Sequence, residues 1–173
     1  MWTQQGPKLV GTGGIGNASQ TYSPVSIALS ADGNTAILGW SADDSNVGAM
    51  WVWTRARGMW TQQGPKLVGK GAVSPLDGGS GTKQGNSVAL SADGNTALVG
   101  GPGGTEGIGA LWLWTRSDAG WAQQDVRLAH TFNPRGFGNV VSVALSAKAD
   151  IALVGGSDAL GAASWVVNIH AHR

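Results

Sequence analysis

NSVALSADGNTALVGGPGGTEGIGALWLWTR, residues 86–116, decides the fold. Within it SVALS (87–91) sets Val88 and Leu90 at alternate positions, the two-residue period of a strand. Ala92-Asp93-Gly94-Asn95 is a hairpin signal, because Gly94 and Asn95 tolerate positive φ. TALVG (96–100) then returns as a second strand. A glycine-rich loop (101–107) leads to GALWLWTR (109–116), a third strand with Trp112 and Trp114 on one face. Ser117-Asp118-Ala119-Gly120 turns the chain, and residues 121–128 supply a fourth strand. Four antiparallel strands joined by short turns describe a propeller blade.

The stretch recurs. VSIALSADGNTAILGW stands at 25–40 and VSVALSAKADIALVGG at 141–156, while WTQQGPKLVG stands at 2–11 and 60–69, with a worn copy, WAQQDVRLAH, at 121–130. A period of about sixty residues made of short apolar runs and glycine turns indicates stacked repeat units. Met50-Trp51-Val52-Trp53 and Leu111-Trp112-Leu113-Trp114 are bulky on both faces of their strands, as sheets held between two neighbours require. No segment keeps a 3.6-residue period for ten residues, so helix is not expected.

Composition agrees. Charged residues make up 12% of the 173-residue chain, well below the roughly 25% of ordinary globular proteins. Such poverty of charge would fit a disordered chain only if aromatics were scarce, and nine tryptophans recur periodically. Each buried indole contributes up to about 4–6 kcal/mol from apolar burial before entropy. Net charge is +1 with no basic run, so neither nucleic acid nor an anionic membrane is an expected partner. The absence of cysteine removes disulfides and thiolate chemistry. No apolar run reaches the roughly 18 residues of a membrane span, and no charged leader precedes an apolar stretch at the start.

The expected fold is therefore all-β, a β-propeller of about three four-stranded blades forming one repeat domain, residues 1–173. Residues 1–11 read as a closing strand, 25–69 as the first blade, 86–130 as the second and 141–173 as an incomplete third. Propellers use about four to eight blades, so three do not close a ring alone. The expectation is a homodimer forming a six-bladed ring, in which each strand at 1–11 completes the partner's last blade. A nine-bladed trimer and a piece of a longer six- or seven-bladed chain are the alternatives.

The run SVALSADGNTALVGG, its glycine loop and GALWLWTR together resemble the FG-GAP repeat of integrin-like β-propellers. Phe137-Gly138 before residues 141–146 is similar to the FG of that name, and GGPGG at 100–104 to a relaxed GAP element. The resemblance implies a propeller fold, an extracellular or cell-surface location and cell-surface or glycan partners. The family's calcium loops lie in the hairpin between first and second strands and are rich in alternating aspartates. Here the matching loops offer Asp32 with Asn34, Asp93 with Asn95, and Asp150 after Lys148, too few oxygens for a cation wanting six to eight. They read as structural turns, and no metal or other cofactor is expected.

No catalytic constellation stands out. His170 and His172 share one side of a terminal strand but belong to a frayed end, and no serine sits in a nucleophile elbow. The glycine strings at 11–16 and 100–104 lack the lysine and helix of a phosphate loop. A non-enzymatic binding module is the expected function, lectin-like or adhesive, with repeated rim sites. A structural or protein-interaction propeller is the alternative. The connections from second to third strands, with Asp43, Asp44 and Asn46, Glu106, and Asp158, share a rim with those from fourth to first strands. Trp40 stands where the other repeats have Gly101 and Gly156, and is expected to offer an indole beside Asp43, Asp44 and Asn46 for stacking on a sugar.

Overall fold

The computed structural model describes residues 1–16, 23, 25–74, 81–103, 109–124, 139–158 and 161–169. Eleven strands among them form three antiparallel sheets. The first contains β1 (Val25–Leu29), β2 (Thr35–Trp40), β3 (Ala49–Ala56) and β4 (Met59–Gln62), hydrogen-bonded in chain order. The second repeats it with β5 (Ser87–Leu90), β6 (Thr96–Gly101), β7 (Ala110–Ser117) and β8 (Gly120–Gln123). The third has three strands, β9 (Asn139–Leu145), β10 (Ile151–Asp158) and β11 (Gly161–Asn168). Regular pairing in β4 ends at Gln62, after which Gln63 N to Val52 O and the Met50–Leu67 bridge keep the chain beside β3; β8 ends at Gln123, and residues 125–128 of the expected fourth strand lie outside the described residues.

Register explains why both faces of these strands are apolar. In the first sheet Ala28, Ile37 and Val52 lie in one row across the strands, and Ser26, Gly39 and Met50 in another. Ile37, Met50 and Val52 pack directly on Val88, Ala97, Val99, Trp112 and Trp114 of the second sheet. The opposite face of the second sheet, with Ala89, Leu98, Leu111 and Leu113, packs on Ala152, Val154 and Val167 of the third. Each sheet thus has a leading face toward lower numbers and a trailing face toward higher ones. The middle sheet is covered on both sides, which is why Leu98, Leu111 and Trp112 have no solvent contact.

The innermost strands β1, β5 and β9 are neighbours, so the sheets stack around a common line. Their hairpin turns are joined by backbone bonds running in one direction. Ala31 N donates to Ala92 O at 2.9 Å, and Ala92 N to Ala147 O at 3.0 Å. The turns themselves are built alike. Gly33 and Gly94 take φ of 68° and 71°, where an L-residue is disfavoured, and the worn third turn forces Ala149 to 59°.

Residues 1–10 form no strand, and Trp2 is fully exposed. A strand exists only through backbone pairing; this segment meets the first sheet through side chains instead.

Candidate functional site

The leading face of the first sheet leaves an apolar edge open: Val25, Ile27 and Leu29 of β1 are exposed, while Trp51 and Trp53 of β3 are buried. Its rows are Val25–Trp40–Ala49, Ile27–Leu38–Trp51 and Leu29–Ala36–Trp53. At the same places in the second sheet stand Val88–Val99–Trp112 and Leu90–Ala97–Trp114, which are packed on the first sheet. Ile27 is 76% exposed and Leu29 58%, although Val88 at the place of Ile27 is buried. The trailing face of the third sheet is the counterpart. Leu153 and Val166 are 47% and 69% exposed, where Leu98 and Leu113 of the second sheet are buried. Soluble proteins seldom leave such patches without a use.

The N-terminal segment lies against the leading face in a way the molecule repeats. Gln5 Oε1 accepts from Arg55 Nη1 at 3.0 Å and from Trp60 Nε1 at 3.3 Å. Gln63 Oε1 does the same for Arg116 Nη1 at 3.2 Å and Trp121 Nε1 at 3.1 Å. Thr12 O accepts from Trp51 Nε1 as Lys70 O accepts from Trp112 Nε1. Thr12 N donates to Gln62 Oε1 at 2.8 Å, and Lys70 N to Gln123 Oε1 at 2.6 Å. Both arginines lie 5.6 Å from their tryptophan ring centres, a cation–π distance. Even the glycine matches. A side chain at Gly11 would come within 2.5 Å of the Trp51 ring, as one at Gly69 would strike Trp112.

The two copies differ in one respect. Residues 59–69 do two jobs, pairing with β3 through Met59–Gln62, Gln63 N to Val52 O and Leu67 to Met50, while clasping the second sheet with their side chains. Residues 2–12 do only the clasping. Between this segment and the sheet lies a cavity of about 460 Å³ lined by Lys8, Val10, Val25, Leu38, Trp40 and Trp51.

The rim turn holds the expected acidic cluster, and its chemistry is internal. Asp43 has no solvent contact. One carboxylate oxygen accepts from Ile15 N at 2.6 Å, and the other from Lys66 Nζ at 2.6 Å. Asp44 N donates to Ile15 O, so this turn ties down the loop after the N-terminal segment. Asp44, Ser45 and Asn46 have φ of 48°, 57° and 71°, three consecutive left-handed residues. The turn is held by Gly48 N to Asp43 O and by Lys83 N to Asn46 O, the latter reaching from the loop before the second sheet.

The hairpin aspartates are likewise committed to their turns. Ser91 Oγ and Asn95 N donate to one oxygen of Asp93, and Asn95 Nδ2 to the other. Asn95 Oδ1 accepts from Arg116 Nε at 2.9 Å, and Asp32, Asn34 and Arg55 repeat the set. The serine hydroxyl is the main cause that holds Asp32, Asp93 and Asp150 below the ordinary aspartate range, followed by backbone N–H donation for Asp32 and Asp150. Among the described residues no three acidic or histidine side chains converge as metal ligands.

The residues expected to form a sugar site are thus separated in role. Trp40 is half-buried on the leading face, near Gly16, rather than standing free on the rim. Asp43 is spent on Lys66 and Ile15. Asp44 is exposed beside it, and Asn46 is half-buried. Asp158 ends β10, opposite Gly161, and Glu106 lies outside the described residues. Residues the sequence reading missed are Gln5, Gln63, Lys66 and Gln84. Gln84 is fully buried, and its Oε1 accepts from Gly69 N at 2.6 Å. The paired glutamines were visible in the repeated WTQQ; the bonds of Lys66 and Gln84 had no local signal.

No family model matches this chain, and no curated protein matches it. Among solved structures it is similar to the crystal structure of TolB from Acinetobacter baumannii, at a TM-score of 0.50 and 10% identity. That match covers 87% of this chain and 31% of the other, so the chain spans about a third of the length of that structure. TolB has a propeller-type fold. Three antiparallel sheets stacked face to face, together with this likeness, make the chain an all-β protein of propeller type.

Proposed function

We propose that the chain is a non-enzymatic interaction module whose working surface is the leading face of its first sheet. One observation carries the reading: that face has the row pattern which the second sheet buries against the first, yet Ile27 and Leu29 remain open. A surface shaped to receive another sheet is suited to a protein partner. Both end faces lack ionised groups in their central rows, so burial there has little desolvation cost.

Hydrodynamic mass across a wide concentration range tests this, with Ile27→Glu as the probe. Association that rises with concentration and is lost in the variant, with circular dichroism unchanged, supports the reading. A monomer at every concentration, indifferent to the substitution, refutes it.

A lectin-like role is the second reading, favoured by the cavity flanked by the indoles of Trp40 and Trp51. Stacking on a sugar would suit two indoles, but Lys8 is the one charged side chain along that lining, and sugars need several hydrogen-bonding groups. A glycan array with the intact protein and with Trp40→Ala decides it; blank binding for both ends the sugar reading.

A further inference from the structure

We infer that the sheet received on the leading face is the third sheet of a second copy of this chain, and that residues 2–4 pair with the edge of its β11. The inference rests on the interaction-module reading and specifies its partner. Its basis is continuity with two interfaces the molecule already makes.

The junction of the first and second sheets has three parts, of which the apolar and turn-to-turn parts recur between the second and third, and each part has an open counterpart at the two ends. The first part is apolar. Ile37 and Val52 press on the Trp112 and Trp114 rows, as Leu98 and Leu113 press on the Val154 and Val167 rows. Leu153 and Val166 of one copy stand at the same places relative to the Trp51 and Trp53 rows of another. The second part is the turn-to-turn bond. Ala31 N to Ala92 O and Ala92 N to Ala147 O continue, in the same sense, as Ala147 N of one copy to Ala31 O of the next.

The third part is the clasp. Residues 60–70 clasp the second sheet while pairing with β3. Residues 2–12 already clasp the first sheet, and the strand edge they lack is that of β11. The repeat fixes the register. Trp53 pairs with Gln62 and Thr54 with Thr61, and Ala152 sets Val167 at the place of Trp53. Gln4 therefore falls opposite Val167, and Thr3 opposite Asn168. Joining both ends of two copies gives six sheets, within the range of about four to eight that closes a propeller ring. Two identical head-to-tail junctions related by a twofold axis leave neither end face open.

Native cysteine is absent, so engineered disulfides report cleanly. Opposed residues on antiparallel strands have Cα atoms about 4.5–5.5 Å apart, within disulfide reach. Thr3→Cys and Asn168→Cys chains are made separately, mixed, and oxidised mildly, while sedimentation gives the mass of the unmodified protein. The expected results are a mass twice the 17.6 kDa chain and a cross-linked pair formed only in the mixture. Ile27→Glu and Val166→Glu should each weaken association on the order of 100-fold.

Association that is sensitive to Ile27→Glu but yields no cross-link would overturn the strand exchange while leaving the interaction face standing. That pattern would instead mark leading face packed on leading face. A cross-link confined within single chains carrying both cysteines, or an open ladder of masses, would overturn the closed pair. A strict monomer would sink both readings.

Discussion

The buried pair of Asp43 and Lys66 makes the sharpest test of how this structure is held, because its two members are unequally covered. Asp43 has no solvent contact, while the Lys66 side chain is 19% exposed. Lys66→Met strands in the interior a carboxylate that still accepts from Ile15 N. Breaking a buried pair from that side costs about 3–5 kcal/mol. Asp43→Asn keeps the shape and the acceptor for Ile15 N, and leaves an ammonium whose flexible stem can carry it to water. That loss is about 1–2 kcal/mol. Making both substitutions removes the stranded charge, so the double variant should lie closer to Asp43→Asn than to Lys66→Met. The assay is urea unfolding followed by tryptophan emission, comparing midpoints at constant slope. If Asp43→Asn costs as much as Lys66→Met, or the double variant equals the sum of the two, the burial asymmetry does not govern this pair.

Three further outcomes are expected. Ala149→Gly should raise stability by about 0.5–1 kcal/mol by relieving a φ of 59°, whereas Gly94→Ala should lower it, with its new methyl crowding Thr35; thermal midpoints separate the two. Trp112→Phe should cost about 1 kcal/mol more than Trp114→Phe, since Trp112 Nε1 donates to Lys70 O at 3.3 Å and Trp114 Nε1 is buried without a partner; denaturant midpoints decide. Asp32, Asp93 and Asp150 have lowered values in the fold, so their stabilisation is present above the ordinary aspartate value and is lost as pH falls through the folded one. Unfolding midpoints should therefore drop below about pH 4, and less steeply once Ser30, Ser91 and Ser146 are alanine.

Most of the sheet architecture was legible in the chain, because strand pairing here is local. Val88 and Leu90 alternate, Asp93-Gly94-Asn95 marks the turn, and β5 to β7 follow at nearly the expected limits. The repeat pattern also carried the stacking, since Leu111-Trp112-Leu113-Trp114 needs two covered faces. Residues 2–10 copy 60–68 yet form no strand in the single chain, because an identical string pairs only where an edge is offered. The rim site was legible only as composition. Trp40 occupies the even-numbered face of β2 with Leu38, and alternation alone allowed that assignment. The engagement of Asp43 with Lys66 crosses from one rim turn to the outer connection of the same repeat, and nothing in either local string announces it.

The one-way run of bonds from Ala31 to Ala92 to Ala147 gives each molecule a polarity, like a link with a hook and an eye. If two copies join end to end as proposed, a subunit spoiled only at its hook would still be caught by an intact neighbour's hook through its sound eye, and one of the two junctions would stay unmade. In a pair, such a subunit should disable intact partners one for one, in step with its share, whereas a subunit spoiled at both ends would be an inert bystander.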